Sequence, residues 1–244
     1  MRKKKKNKVI DLTTNSLDKT NEQSSLSCKN KLKPRTHNQS EYIRTIVENT
    51  ITFCQGKAGS GKTHIAVGLG LEYLLENKVK KIIITRPVVE AGEKIGYLPG
   101  DANTKLFPYL LPIEDEINYF IGPAYNASLK LNNKIEVVPL GFMRGRNFHE
   151  SFIIADECQN ASYEQIKMLL TRIGRNSKMV LTGDINQSDL SRHLQGGFYT
   201  LSNLLNGIDG VGIAKLEDVD IVRNPIIAKI LGKIESYEDA SGQS

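Results

Sequence analysis

The chain has 244 residues, of which 39% are hydrophobic and 25% are charged. This globular composition excludes collagen-like and wholly disordered chains, and apolar runs such as residues 152–155 are too short to span a bilayer. No apolar segment follows the basic residues 1–8, so we expect no signal peptide. The three cysteines, Cys28, Cys54 and Cys158, fit neither a disulfide framework nor a zinc site and favour a reducing compartment.

The net charge of +6 is unevenly distributed along the chain. Residues 1–37 hold 11 Lys and Arg against 3 Asp and Glu, a net charge of +8, so the remaining residues carry −2. We therefore predict a basic, disordered tail over 1–37, a domain over 38–236 and a short C-terminal tail over 237–244. The lysines at positions 3–6 fit two roles: solubilisation, or binding of RNA, DNA or an acidic partner through counterion release.

Apolar runs and helical patterns alternate from about residue 39 onward. Strands are predicted at 51–54, 82–84, 135–138, 152–155, 179–181 and 211–216. Helices are predicted at 64–76, 105–120, 161–172 and 190–205. Residues 87–104 contain too many Gly and Pro for regular structure. This order predicts an α/β fold, with a mostly parallel sheet that carries helices on both faces.

The strongest motif lies between the first predicted strand and the first predicted helix. It is a full P-loop (Walker A) pattern, made of Gly56, Lys57, Ala58, Gly59, Ser60, Gly61, Lys62 and Thr63. The glycines let successive backbone N–H groups face a phosphate chain, and the helix N-terminus adds its positive end. Lys62 is expected to bridge the β- and γ-phosphates, and the Thr63 hydroxyl to hold Mg²⁺. The motif predicts a site for a nucleoside triphosphate.

Two acids, Asp156 and Glu157, follow the apolar run 152–155, at the strand end where ligands of parallel sheets bind. Alone, such a pair often marks only the start of a loop. Beside a P-loop, it resembles a Walker B motif in which Asp156 holds Mg²⁺. Glu157 is then the natural base for the water that attacks the γ-phosphate. The pair favours hydrolysis over phosphoryl transfer to a small molecule.

Residues 181–187 also end an apolar strand with polar side chains. A side chain here can contact the γ-phosphate or its attacking water. We assign this sensor role to Gln187, with Asp184 supporting Mg²⁺ or the loop. Without the other motifs, the segment would be interpreted as a turn with a helix cap at Ser188 or Asp189.

Several blocks together resemble the PhoH-like ATPases. They lie at 85–87, 96–100, 143–146, 156–160, 170–174, 182–187 and 220–225. The resemblance covers about residues 39–233. PhoH-like proteins are similar to the first RecA-type domain of superfamily 1 helicases and occur in bacteria and phages. The resemblance therefore implies a RecA-like P-loop NTPase fold, and a location in the cytoplasm of a bacterial cell or of the bacterial host of a phage.

The resemblance implies two further site residues. Gln39 stands where helicases carry a glutamine that binds the adenine edge, and it would have no such role without the resemblance. Arg223 lies in a block that could supply an arginine to the γ-phosphate. A single RecA-type domain would receive such an arginine from a neighbouring subunit, which implies a homo-oligomeric ring, such as a hexamer. Alternatively, Arg223 caps carbonyls ahead of a helix near residue 225.

Three loop arginines, Arg86, Arg144 and Arg146, have two interpretations. They either contact a nucleic-acid backbone or hold loops through carboxylates such as Glu90 and Glu93, and we favour the second because the folded part has no net positive charge. The chain departs from the family at Cys158 and Asn224, where alanine and histidine are usual. No nuclease domain of the PIN type fits the remaining residues, so nuclease activity is not expected.

The motifs predict a Mg²⁺-dependent ATPase, and the resemblance to the PhoH-like ATPases implies a helicase-like action on RNA, with hydrolysis stimulated by single-stranded RNA. A second hypothesis is a nucleotide-gated binding protein that turns over slowly and remodels no nucleic acid. A small-molecule kinase fits less well, because no arginine-rich lid is evident. No membrane partner is expected.

Overall fold

The computed structural model describes residues 28–87, 102–185, 187–190 and 194–221, together with residues 230, 233 and 237. Within these ranges the chain forms six strands, β1 Ile51–Gln55, β2 Lys81–Thr85, β3 Ile135–Val137, β4 Ser151–Ala155, β5 Lys178–Gly183 and β6 Val211–Lys215. Its helices are α1 His37–Glu48, α2 Lys62–Leu75, α3 Ala102–Ile121, α4 Pro123–Leu131, α5 Tyr163–Leu170 and α6 Gly197–Leu204. None of the helices in this part of the chain is long and apolar enough to cross a membrane.

The six strands form one sheet in the order β3-β2-β4-β5-β1-β6, and every recorded strand pair is parallel. The predicted parallel α/β architecture is confirmed. Because successive side chains point to opposite faces of a strand, Phe53 and Cys54 enter different cores. One core lies against α1–α4 and the other against α5 and α6. Both faces are therefore covered, and the ligand-binding edge is formed by the carboxyl ends of the strands.

The predicted strands and helices are largely confirmed. Helix α3 begins at Ala102, inside the segment 87–104 that was predicted to lack regular structure, and residues 88–101 lie outside the described residues. Two further differences concern the helices. The helix predicted at 190–205 begins only at Gly197, because the chain first turns through residues 195 and 196. Gly196 is in the left-handed region at φ 81°, which favours glycine. The second difference is that α1 and α4 were not predicted.

Helix α1 begins at His37, the last residue of the predicted tail, and the residues before it pack against the domain. Asn30 donates its backbone N–H to the Phe120 carbonyl at 3.2 Å, and Leu32 packs against the core beside α2 and α3. The Thr36 hydroxyl caps α1 by accepting from the Gln39 N–H at 3.2 Å. The boundary predicted at residue 38 is thus wrong for residues 28–37. Residues 1–27 and 238–244 lie outside the described residues.

Both ends of α1 are held by charged side chains from distant parts of the chain. At its start, the buried Asp220 carboxylate accepts hydrogen bonds from Thr36 and Asn38 and, at 2.6 Å, from the Glu217 N–H. At its end, the Lys178 ammonium donates to three main-chain carbonyls of residues 46–49, at 2.6–2.9 Å. These contacts fix α1, and with it Gln39, against the sheet.

Candidate functional site

The P-loop connects β1 to α2 in the conformation that its sequence predicts. Gly59 and Gly61 have φ values of 85° and 94°, a region that residues with a side chain rarely adopt. A Cβ atom on Gly61 would lie only 3.0 Å from Gln39 Nε2, so the loop is also closely packed. Helix α2 begins at Lys62, so the N–H groups of its first turn lie at the end of the loop, where an anion can bind them.

The ammonium of Lys62 lies over the loop. Its Nζ atom donates to the carbonyls of Gly56 at 2.6 Å and Lys57 at 3.0 Å, and the residue is only 8% exposed. A phosphate chain in the loop would offer this ammonium stronger, charged acceptors than these two carbonyls.

The predicted metal-binding residues Thr63 and Asp156 are in direct contact. The Thr63 hydroxyl donates to Asp156 Oδ1 at 2.6 Å, and the Thr182 hydroxyl of β5 donates to the same oxygen, also at 2.6 Å. The hydroxyl and carboxylate oxygens are the donor types that Mg²⁺ prefers, so this pair fits the ion. The described residues contain no group of three or more His, Cys, Asp or Glu arranged to hold a metal ion. Mg²⁺ bound with phosphates usually takes one or two protein ligands and keeps several waters, so a site with two protein oxygens suits it.

Glu157 has an unusual backbone conformation, with φ 55° and ψ 41°. A residue other than glycine in this left-handed region costs free energy and persists only where the surrounding structure enforces it. Its carboxylate lies 3.7 Å from the guanidinium of Arg86 and accepts a hydrogen bond from Gln159 Nε2. The side chain lines a cavity that also includes Lys62 and Thr63. The strained backbone thus places a carboxylate beside the P-loop.

Gln159 is a site residue to which no role was assigned from the sequence, although it lies in the block 156–160 that resembles the PhoH-like ATPases. Its side chain is 8% exposed and bridges two segments, because Nε2 donates to Glu157 while Oε1 accepts from the Asp184 N–H at 3.0 Å. Its position gave a sequence signal for a role in the site, since a polar residue two positions after the acidic pair lies in the same short turn. Gln159 therefore links the acidic pair to the end of β5.

We expect the substitution Gln159→Met to lower the turnover number for ATP hydrolysis by about 100-fold, because a small displacement of a reacting group costs this much. The KM for ATP should change little, since Gln159 contacts no P-loop residue among the contacts recorded for it. Steady-state phosphate release gives both values. A matched Gln195→Met variant, which alters an exposed glutamine, should behave as wild type. An unchanged turnover number in Gln159→Met would refute the positioning role.

The other two predicted catalytic residues are Gln187 and Arg223. Gln187 is exposed, and its N–H donates to the Asp184 carbonyl at 3.3 Å in a turn. The loop around it is held to the turn after β4, because Asn160 and Asp189 exchange two hydrogen bonds at 2.8 and 3.0 Å. Two residues of this loop contact Gln159: the Asp184 N–H donates to Gln159 Oε1 and the Ser188 hydroxyl donates to the Gln159 carbonyl, both at 3.0 Å. Arg223 and Asn224 lie outside the described residues.

Gln39 lies against the P-loop. Its Nε2 donates to the Ser60 carbonyl at 2.9 Å, and its Oε1 accepts from the Arg35 N–H at 2.8 Å. It lines the same cavity of about 320 Å³ as the P-loop residues 58, 59 and 61–63. The fold thus brings a side chain from α1 to the motif that follows β1.

The loop arginines divide between two environments. Arg146 forms an ion pair with Glu136 at 2.8 Å and lies over the ring of Phe148, and Arg86 lies beside Glu157. Arg144 is exposed, as is the neighbouring Phe142, with 66% of its surface accessible. The predicted partners Glu90 and Glu93 lie outside the described residues. Loop-holding contacts are therefore found for Arg86 and Arg146, with partners other than those predicted.

Comparisons with known proteins identify the family and the fold. The family described as "PhoH-like protein" matches residues 31–235. The chain is 42% identical to a PhoH-like protein of Synechocystis sp. and to one of Bacillus subtilis, over 87% and 85% of its length. It spans 64% of the length of each of these relatives. The large terminase from a thermophilic bacteriophage matches with a TM-score of 0.51 at 10% identity, over 84% of this chain and 50% of that one.

The structural match shows a shared fold and nothing further. Together with the six-stranded parallel sheet and the P-loop after β1, it confirms the RecA-like P-loop NTPase fold. The match to the family spans most of the chain, including the P-loop and the acidic pair, and two relatives from different bacteria share the same degree of identity. The chain belongs to the PhoH-like protein family.

Proposed function

We propose that the chain is a Mg²⁺-dependent ATPase in which Glu157 activates the attacking water. The observation that carries this proposal is the 2.6 Å contact between Thr63 and Asp156, which joins the P-loop to the acidic pair. Lys62 would leave the carbonyls that it now contacts and bind the β- and γ-phosphates. Thr63 and Asp156 would hold Mg²⁺, which supplies charge neutralisation at the phosphates.

Glu157 is the base in this proposal because it extends from the strained turn beside the metal-binding oxygens. Gln159 Nε2 donates to Glu157 Oε2 and so orients the carboxylate of Glu157. Arg86 supplies a positive charge 3.7 Å from the other oxygen of this carboxylate. After hydrolysis, loss of the γ-phosphate would change the loop after β5 through Gln159 and Asp184, with Gln187 in that loop as the sensor. Gln39 would bind the adenine edge, and Arg223 of a neighbouring subunit in a ring would complete the site.

We further propose that single-stranded RNA is the partner that stimulates hydrolysis. The support is the exposed pair Phe142 and Arg144, which follows the carboxyl end of β3 at the ligand-binding edge of the sheet. An exposed aromatic ring beside an arginine suits base stacking and phosphate contact, the two interactions that bind single strands without sequence preference. The basic segment 1–37 would add a salt-dependent contribution.

A second candidate function is a nucleotide-gated binding protein with slow turnover. It is favoured by one observation: Arg86 and Arg146, two of the three arginines that would contact a nucleic acid, are engaged by Glu157 and Glu136. In that case the nucleotide would control assembly or the binding of another protein.

Phosphate release by the full chain with ATP and Mg²⁺, with and without single-stranded RNA, separates the two functions. We expect RNA to raise the turnover number, and Phe142→Ala and Arg144→Ala to reduce this stimulation while turnover without RNA stays unchanged. Arg175→Ala is the matched control, because Arg175 is exposed near the start of β4, at the opposite edge of the sheet. ATP-dependent oligomerisation with negligible turnover would favour the second function. Absence of ATP binding would refute both.

A further inference from the structure

A histidine–glutamate pair lies beside the P-loop and has no role in the chemistry proposed above. His64 follows Thr63 in the first turn of α2, and its Nδ1 atom contacts Glu116 Oε2 of α3 at 2.8 Å. The imidazole also packs against Phe120 and Tyr119, with ring centroids 4.8 and 5.5 Å apart. The carboxylate of Glu116 is therefore held in place although one third of the side chain is exposed.

The pair lines the same cavity of about 320 Å³ as the P-loop. Consecutive residues of an α-helix point about 100° apart around its axis. Thr63 faces Asp156, so His64 and Glu116 lie on a different flank of the P-loop from the metal-binding oxygens. On this flank the cavity is bounded by Lys33, Arg35, Gln39, His64 and Glu116.

The charges of this flank indicate which part of a nucleotide lies there. A carboxylate such as Glu116 repels phosphate groups, whereas the cationic side chains of Lys33 and Arg35 attract them. Glu116 therefore suits a neutral part of the ligand that carries hydrogen-bond donors. An adenine nucleotide has two neutral parts with donors, the adenine amino group and the ribose hydroxyls. Gln39 is assigned above to the adenine edge, which leaves the ribose for Glu116; the ribose is joined to the α-phosphate and lies away from the γ-phosphate and Glu157. Carboxylates bind ribose hydroxyls in the same chemical way in dinucleotide-binding sites.

We propose that Glu116, positioned by His64, accepts a hydrogen bond from the ribose 2′-hydroxyl of the bound nucleotide and selects ribonucleotides over 2′-deoxyribonucleotides. His64 contacts Oε2, and no partner is recorded for Oε1 among the described residues, so this oxygen can accept from a ligand. The inference rests on the proposed function only in requiring that a nucleotide binds at the P-loop.

Calorimetric titration of the full chain with ADP and with 2′-deoxy-ADP tests this inference without any turnover. The wild type should bind ADP about 10- to 100-fold more tightly, the difference expected for one hydrogen bond to a charged group. Glu116→Ala should bind ADP as weakly as 2′-deoxy-ADP, with the affinity for 2′-deoxy-ADP nearly unchanged. His64→Ala should reduce the preference in part, because the carboxylate then loses its orientation.

Asp115→Ala is the matched control, since it removes the same charge from the neighbouring, exposed position of α3. It should keep the full preference for ADP. Equal affinities of the wild type for the two nucleotides, or an undiminished preference in Glu116→Ala, would overturn the inference and leave the proposed function intact. If neither nucleotide binds the wild type, the proposed function and the inference both fail.

Discussion

Replacing Glu157 by Gln should lower the rate of ATP hydrolysis by about 10²- to 10⁴-fold, the usual contribution of a general base. The amide has the size of the carboxylate and keeps an oxygen that can accept from Gln159 Nε2, so the turn after β4 should be unchanged. What the variant loses is the negative charge and the ability to take a proton from water. ATP binding should therefore persist, because Lys62, Thr63 and the P-loop backbone are untouched.

The measurement is single-turnover phosphate release, together with the affinity for ATP from equilibrium titration. Glu164→Gln is the control, because this glutamate lies on α5 with its side chain 77% exposed and should be replaceable without effect. Retention of wild-type hydrolysis in Glu157→Gln would contradict the assignment of the base. Loss of ATP binding together with hydrolysis would show instead that Glu157 supports the structure of the site.

Replacing Asp220 by Asn should have the largest effect on stability outside the hydrophobic cores. The Asp220 side chain is fully buried and accepts from Thr36, Asn38 and the Glu217 N–H. An amide group in its place turns one acceptor into a donor that faces other donors. We expect a loss of about 2–4 kcal/mol in the free energy of unfolding at neutral pH, because buried polar groups are left without partners.

The stabilisation that Asp220 gives the folded chain should be present at neutral pH and be lost in acid. Burial by itself raises the pKa of this carboxyl, but the hydrogen bonds from Thr36, Asn38 and Glu217 outweigh it and hold the pKa below its ordinary value. Since the pKa is lower in the folded than in the unfolded chain, the stabilisation is fully present above the unfolded value of about 4 and is lost as the pH falls through the folded value.

Urea unfolding of the wild type and of Asp220→Asn, followed across this pH range, tests both expectations. The difference in stability between the two proteins should be largest at neutral pH and shrink towards acid. Asp218→Asn is the control, because it lies in the same short turn and its side chain forms an exposed ion pair with Lys57. Its effect should be within about 1 kcal/mol. A difference for Asp220→Asn that does not vary with pH would mean that its charge is not what stabilises the fold.

The strands of this fold were predictable because each is short, apolar and bounded by Gly, Pro or polar residues. Helices α1 and α4, which were not predicted, differ from the strands in this respect. Helix α1 buries only Gln39, Tyr42 and Ile46 and lies between a Lys-rich segment and a β-strand. Its two ends are held by Asp220 and Lys178, which are far away in sequence and make contacts that no local pattern contains. The boundary between tail and domain, predicted at residue 38, was wrong for the same reason.

The candidate site shows the same division between local and non-local information. The P-loop and the acidic pair were recognisable because their chemistry depends on neighbours in sequence. The link from Gln159 to Asp184 and the contact between His64 and Glu116 join residues 25 and 52 positions apart. The sequence places Gln159 in the turn after the acidic pair, but no local pattern shows that its partner is Asp184 or that the partner of His64 is Glu116, so these roles became visible only in the folded structure.

The position of β1 has a consequence for how the protein is made. Among the described residues, the strand that leads into the P-loop pairs with β5 and β6, which are synthesised long after it. At translation rates of about 5–20 residues per second, the ribosome needs roughly 8–30 seconds to proceed from the end of β1 to the end of β6. Both edges of β1 lack their partner strands until β5 has been made, and one edge still lacks its partner until β6 follows. Unpaired edges of an apolar strand favour aggregation, so the nascent chain is most exposed to it before β5 is made, and a product terminated before β5 would hold the P-loop without the neighbouring strand that supports it.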